Sequence, residues 1–77
     1  MAELFSPVWI IERQEITDLE KYNKWDFKNS ISTTIVKEFT GGLSEVKQEV
    51  KDLMATEPVG LKFAIPPRVK YQYKLKH

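Results

Sequence analysis

Leu43-Ser44-Glu45-Val46-Lys47-Gln48-Glu49-Val50-Lys51-Asp52-Leu53-Met54-Ala55 is the stretch whose periodicity sets the fold class. Leu43, Val46, Val50, Leu53 and Met54 recur at helical spacing and fall on one stripe. Gly41-Gly42 breaks the chain before this stretch, and Pro58 stops it beyond. The spacing predicts one main helix over 43–55, about three to four turns long. Its apolar stripe needs a partner layer.

The flanking segments supply that layer. Upstream, Ile31 to Phe39 is rich in Ile, Val and Thr and reads as a strand, opened by turn chemistry at Asn29-Ser30. Further back, Val8 to Ile16 reads as a first strand. Val8 and Ile10 occupy one parity, Trp9 and Ile11 the other, which marks a central strand or one covered twice. Between these two strands, Thr17-Asp18-Leu19-Glu20 matches a capping box with Thr17 as the cap. It predicts a short helix of about 18–24. The competing reading is an aromatic loop, because Leu19, Tyr22, Trp25 and Phe27 keep helical spacing only in part.

Downstream, two further strands are expected. Leu61, Phe63 and Ile65 alternate with Gly60, Lys62 and Ala64; Val69, Tyr71, Tyr73 and Leu75 alternate with Lys70, Gln72, Lys74 and Lys76. Pro66-Pro67 parts them and suits a bend or an edge, not a central ladder. The fold class is therefore α+β. The expectation is one small domain over 1–77, with a three- to four-stranded, mostly antiparallel sheet packed on one main helix.

Composition narrows the class of function. A chain of 77 residues makes one domain with a small core, burying about 60–65% of its unfolded surface. With 42% apolar residues and 30% charged residues at a formal net charge of +1, it is not of disordered type. The absence of cysteine rules out disulfides and thiolate metal sites. The start of the sequence lacks a basic region. Its longest apolar run, Pro7 to Ile11, is too short for a signal core or a membrane span. The expected location is cytoplasmic, with no membrane partner.

Catalytic chemistry finds little support. The one histidine, His77, is the last residue and poorly placed for general base work. Glu12, Glu15, Asp18 and Glu20 cluster in sequence. Glu45, Glu49 and Asp52 share a helix face roughly opposite the apolar stripe, which reads as a solvated surface before a docking stripe or a weak cation site. Gly41-Gly42 is followed by Glu45, which opposes phosphate, so it reads as a turn. No catalytic residue, cofactor or metal is assigned, and an enzyme is not expected.

One feature points outward. Residues 61–77 carry five basic side chains and no acid, while residues 1–60 carry all 11 acids against seven bases. Lys62, Arg68, Lys70, Lys74 and Lys76 share the polar parity of their strands, so within one sheet they could line one face. The plainest reading is a solvated face, with Glu12 and Glu38 taking some cations in cross-strand pairs and lysines guarding an edge. Tyr71 and Tyr73 alternate with the lysines and should point away from them, which disfavours a base-stacking platform. Tyr22, Trp25 and Phe27 read as core first and as an exposed patch second; Trp9 reads as core. The expected function is a non-catalytic interaction module that binds another macromolecule, a protein before a nucleic acid, as an adaptor, subunit or inhibitor does. Its candidate partner-binding residues are Lys62, Arg68, Lys70, Lys74, Lys76, Tyr22 and Trp25. The alternative is a nucleic-acid-binding accessory protein using the basic C-terminal strands. Oligomeric state is not legible in the sequence.

Overall fold

The computed structural model describes residues 6–76. Chain order is β1 (Val8–Ile16), α1 (Leu19–Asn23), β2 (Ile31–Thr40), α2 (Leu43–Ala55), α3 (Val59–Lys62) and β3 (Val69–Leu75). The fold is α+β. The strands form one antiparallel sheet in the order β2-β1-β3, and the 13-residue α2 is the main helix. The two-sided apolar pattern of Val8 to Ile16 thus belongs to a central strand. Of the helices, α2 and α3 make their main contacts with β3.

Cross-strand partners share a face. The helix face carries Trp9 with Phe39 and Leu75, Ile11 with Lys37 and Tyr73, and Arg13 with Thr34 and Tyr71. Trp9 donates its indole N–H to the Gly41 carbonyl at 2.8 Å and meets the Tyr73 ring edge-on at 5.6 Å. This ties the turn before α2 to the sheet. Gly41 itself has φ 158°, and a Cβ there would stand 3.0 Å from the Phe39 ring, so the turn requires glycine. Ile11, Val46 and Val69 are the fully buried apolar side chains among the described residues. So small a core is what a short chain with one covered sheet face can build.

The other sheet face is open. Ile10 pairs with Glu38 and Lys74, Glu12 with Ile35 and Gln72, and Gln14 with Thr33 and Lys70. Between Ile11 and Glu12 the β1–β2 register shifts, and Val36 is left without a partner in β1, a bulge.

Several expectations are corrected. The segment Leu61 to Ile65 is not a strand. Val59–Lys62 forms a single helical turn opened by Pro58, and the Leu61 carbonyl accepts from the Arg68 amide at 2.9 Å. Lys62 therefore does not share a sheet face with the other cations. Phe63, Ile65 and Leu75, on the apolar parity of the expected strands, are exposed, Ile65 by 96%. Leu43 leaves the α2 stripe for solvent because it sits at the first turn, before the helix reaches the sheet. The α1 helix exists as expected, but Asp18 is its cap, accepting from the Lys21 amide at 3.1 Å, while Thr17 donates its hydroxyl to the Ser30 carbonyl instead.

Candidate interaction surface

The C-terminal half of α2 and the turn that follows build an open groove against β3. On α2, Lys47, Val50, Lys51 and Met54 stand at i, i+3, i+4 and i+7 and so share one face. That face looks across to Phe63, Pro66, Pro67, Val69 and Tyr71, with Tyr22 at one end and Lys62 and Lys70 alongside. The groove holds about 780 Å³, and its lining is mainly apolar. Lys47, Lys51, Lys62 and Lys70 line it, and no carboxylate does.

Those lysines are not equivalent. Lys62 donates to the Ala55 carbonyl at 3.0 Å and lies 5.5 Å over the Phe63 ring. It thereby satisfies the C-terminal end of α2, where a cation is favoured. Lys47, Lys51 and Lys70 make no ion pair among the described residues. Lys47 and Lys51 carry the free positive charge of the groove from α2, while Lys70, paired with Gln14 on the other sheet face, borders it from the β3 edge.

A polar network meets the groove at Tyr71. Arg13 donates from Nε to Glu57 at 3.0 Å and from Nη1 to Glu15 at 2.7 Å, and the Tyr71 hydroxyl donates to the same Glu57 carboxylate. The Glu57 side chain is only 10% exposed. Hydrogen bonding from Arg13, and next from Tyr71, holds its carboxyl below the usual carboxylate range. Conversely, hydrogen bonds to Glu57 and Glu15 raise the Arg13 guanidinium, and burial followed by Glu57 pushes the Tyr71 hydroxyl up. These charges answer one another and fix the loop after α2 to β1 and β3.

The structure divides the residues singled out in the sequence. Tyr22, Lys62 and Lys70 meet in the groove. Arg68 lines a smaller adjoining hollow of about 110 Å³ with Tyr22 and Lys70, and its Nε is buried without a hydrogen-bond partner. Lys74 and Lys76 do not join them. They lie by the open sheet face, Lys74 at 3.5 Å from Glu12 and Lys76 at 2.9 Å from Glu38, the two acids expected to take some of the cations. Glu12 is itself buried and accepts from Gln72 at 2.6 Å. Tyr71 and Tyr73 do point away from the lysines, toward Glu57 and Trp9.

Trp25 is an exposed residue, not a core one, with 80% of its surface open. Its ring stands edge-on to Phe27 at 5.7 Å, and Phe27 meets Tyr22 at 5.1 Å. The three rings step outward from the end of the groove. Trp25 occupies the left-handed region at φ 66°. Its amide donates to Tyr22 and that of Asp26 to Lys21, the Schellman pattern that ends a helix and normally uses glycine at this position. Lys47, Lys51 and Glu57 were not singled out in the sequence, and Met54 only as part of the helix stripe. The i, i+4 spacing of Lys47 and Lys51 beside Val50 and Met54 was the available signal. The carboxylates thought to face solvent are also engaged: Glu45 caps the Gly42 amide, Glu49 holds Lys37 at 2.8 Å, and Asp52 accepts from Gln48.

The chain matches no protein family, no curated protein and no solved structure at a significant level. Among the described residues no helix is long and apolar enough to cross a membrane. Nor do three or more Asp, Glu or His side chains among them group as metal ligands.

Proposed function

We propose that this chain is a non-catalytic interaction module that takes an acidic, amphipathic segment of a protein partner into the groove between α2, α3 and β3. One observation carries the reading: an apolar groove of about 780 Å³ flanked by lysines of which Lys47, Lys51 and Lys70 have no anionic partner among the described residues. Apolar surface supplies affinity on burial, and unpaired cations at its rim select carboxylates and speed encounter. An amphipathic helix seats in such a groove through i, i+3, i+4 anchors. Trp25 and Phe27 extend the contact area beyond Tyr22.

A nucleic acid calls for a continuous positive surface along a phosphate backbone. Here the cations are divided between the groove and the open sheet face, and Lys74 and Lys76 are already paired with Glu12 and Glu38. The test is a fluorescence anisotropy titration with a dye-labelled Glu/Leu peptide patterned as an amphipathic helix. A Lys/Leu peptide of the same pattern and a single-stranded oligonucleotide serve as comparisons. Saturable binding of the Glu/Leu peptide alone, weakening with salt, is the expected result. Equal binding of both peptides would remove charge selection, and preferential binding of the oligonucleotide would overturn the reading.

A further inference from the structure

The sheet has two edges, and they are built differently. β3 carries Lys70 and Lys74 within the strand and Lys76 just beyond it, with α3 packed nearby. Lysines along an edge are a standard protection against pairing with another chain. β2 has no such protection over its first half. From Asn29 to Val36 the sequence reads Asn-Ser-Ile-Ser-Thr-Thr-Ile-Val, without a charge or a proline. Among the described residues its outer backbone groups meet no strand and no helix lies along it. Ile35 is 62% exposed and Val36 is exposed beside it. An uncharged, β-branched edge of this kind favours strand addition.

We propose that β2 pairs with the β2 of a second copy of this chain, antiparallel and centred on Thr33, giving a continuous six-stranded sheet. The register follows from the faces. Ile31, Thr33 and Ile35 lie on the open face with Ile16, Gln14 and Glu12, whereas Ser32 and Thr34 lie on the helix face. In a two-fold antiparallel pair, opposed residues share a face and the axis residue meets itself. Centring on Thr33 sets Ile31 against Ile35 and Ser32 against Thr34, so the exposed Ile35 of each copy is covered by the half-buried Ile31 of the other. It also leaves the bulge at Val36, and the charges of Lys37 and Glu38, beyond the paired segment.

The second copy is preferred to a foreign strand because the Ile31 to Val36 half of β2 is complementary to itself in this register and carries no charge to select another partner. Pairing consumes the open edge of both copies. The edges left over are the lysine-bearing β3 strands, so assembly closes at two rather than propagating. The grooves lie toward β3, away from the joint.

Two measurements on the full chain test this. In sedimentation velocity the wild type should move with concentration from 9.0 kDa toward twice that mass. Thr33→Lys, whose charge would face its own copy, should stay at 9.0 kDa, and mixing it with Thr33→Glu should restore the larger species. Because the chain has no cysteine, Thr33→Cys in oxidised glutathione reports the axis directly. Opposed Cβ atoms across an antiparallel pair are within disulfide reach. It should cross-link at least about tenfold faster than the groove variant Lys51→Cys, by proximity. Wild type that stays monomeric at high concentration overturns the proposal. So does a Thr33→Lys protein that dimerises like the wild type, a cysteine variant no faster than its control, or growth beyond two copies. Should Thr33→Lys fail to fold by circular dichroism, the wild-type mass and the Thr33→Cys rate decide alone.

Discussion

Two residues show how far single side chains commit this chain. Glu57 receives Arg13 and Tyr71 and is nearly buried. A carboxyl held low in the fold contributes stability that is complete above the ordinary carboxylate value, about 4.3, and is lost as pH falls through that range and below. Glu57→Gln should cost about 2–3 kcal/mol at neutral pH, as expected for charged hydrogen bonds. The gap from wild type in urea unfolding should shrink between neutral pH and strong acid. A gap constant with pH would sink the assignment. Tyr71 acts at the other limb. Burial, then Glu57, raises its hydroxyl, so its contribution is present below the ordinary tyrosine value, about 10, and is lost as pH rises beyond it. Trp25 is the opposite case, a large ring on strained backbone with little burial. Strain without packing gain marks a position serving something other than stability. Trp25→Gly relieves the left-handed φ while Trp25→Ala keeps it, so the glycine variant should be more stable than the alanine variant by about 1 kcal/mol in thermal unfolding. Equal stability of the two would mean that the backbone relaxes and no strain was held.

At the scale of elements, what was legible followed from strong periodicity with clear stops. The α2 bounds match the apolar stripe and its Gly and Pro neighbours, and β1, β2 and β3 match their β-branched or alternating runs. Leu61, Phe63 and Ile65 also alternate, yet form no strand. A short alternation carries no information about which backbone partner is free, and here Pro58 opens a helical turn whose Leu61 carbonyl is taken by Arg68. With Phe63 and Ile65 left in solvent, the alternation does not reflect a pleat. Depth along α2 was also not legible, because periodicity gives a face but not how far the sheet extends beneath it. This yields an ordered expectation for alanine substitutions. Val46 is fully buried, Leu53 half-buried and Leu43 exposed by 51%. Val46→Ala should cost about 2 kcal/mol, Leu53→Ala about 1–2, and Leu43→Ala under about 0.5 in urea unfolding. A reversed order would mean that the first turn of α2, not its middle, anchors the helix.

For the molecule as a whole, charge asymmetry along the sequence became a division in space. The C-terminal segment was correctly read as basic, but a sequence count cannot tell which cations the fold will neutralise. Glu12 and Glu38 lie far from Lys74 and Lys76 in sequence and reach them only because β1 is central and the pairs lie across one open face. Lys47 and Lys51 come from a segment that looked evenly charged, and α2 turns them toward the groove beside Lys70. Two double variants therefore separate the surfaces. Lys51→Ser with Lys70→Ser removes free cations from the groove. Lys74→Ser with Lys76→Ser removes cations that already have carboxylate partners. Both should fold, since exposed lysines contribute little, Lys76 sits in a surface ion pair worth about 0–1 kcal/mol, and Glu12 keeps its hydrogen bond from Gln72 when Lys74 is lost. Against the Glu/Leu peptide, the groove pair should lose about tenfold in affinity, on the order of 1.4 kcal/mol, and show a flatter salt dependence. The sheet pair should bind nearly as wild type, because those lysines lie outside the groove and are already answered by Glu12 and Glu38. If instead the sheet pair lost binding and the groove pair kept it, the open face would be the contact and the partner would lie across β1 and β3. Loss in both would indicate attraction to net charge alone, with no seat in the groove. Retention in both would leave the apolar floor as the determinant, and Met54→Glu, which places a carboxylate there, should then abolish binding that the lysine variants left intact.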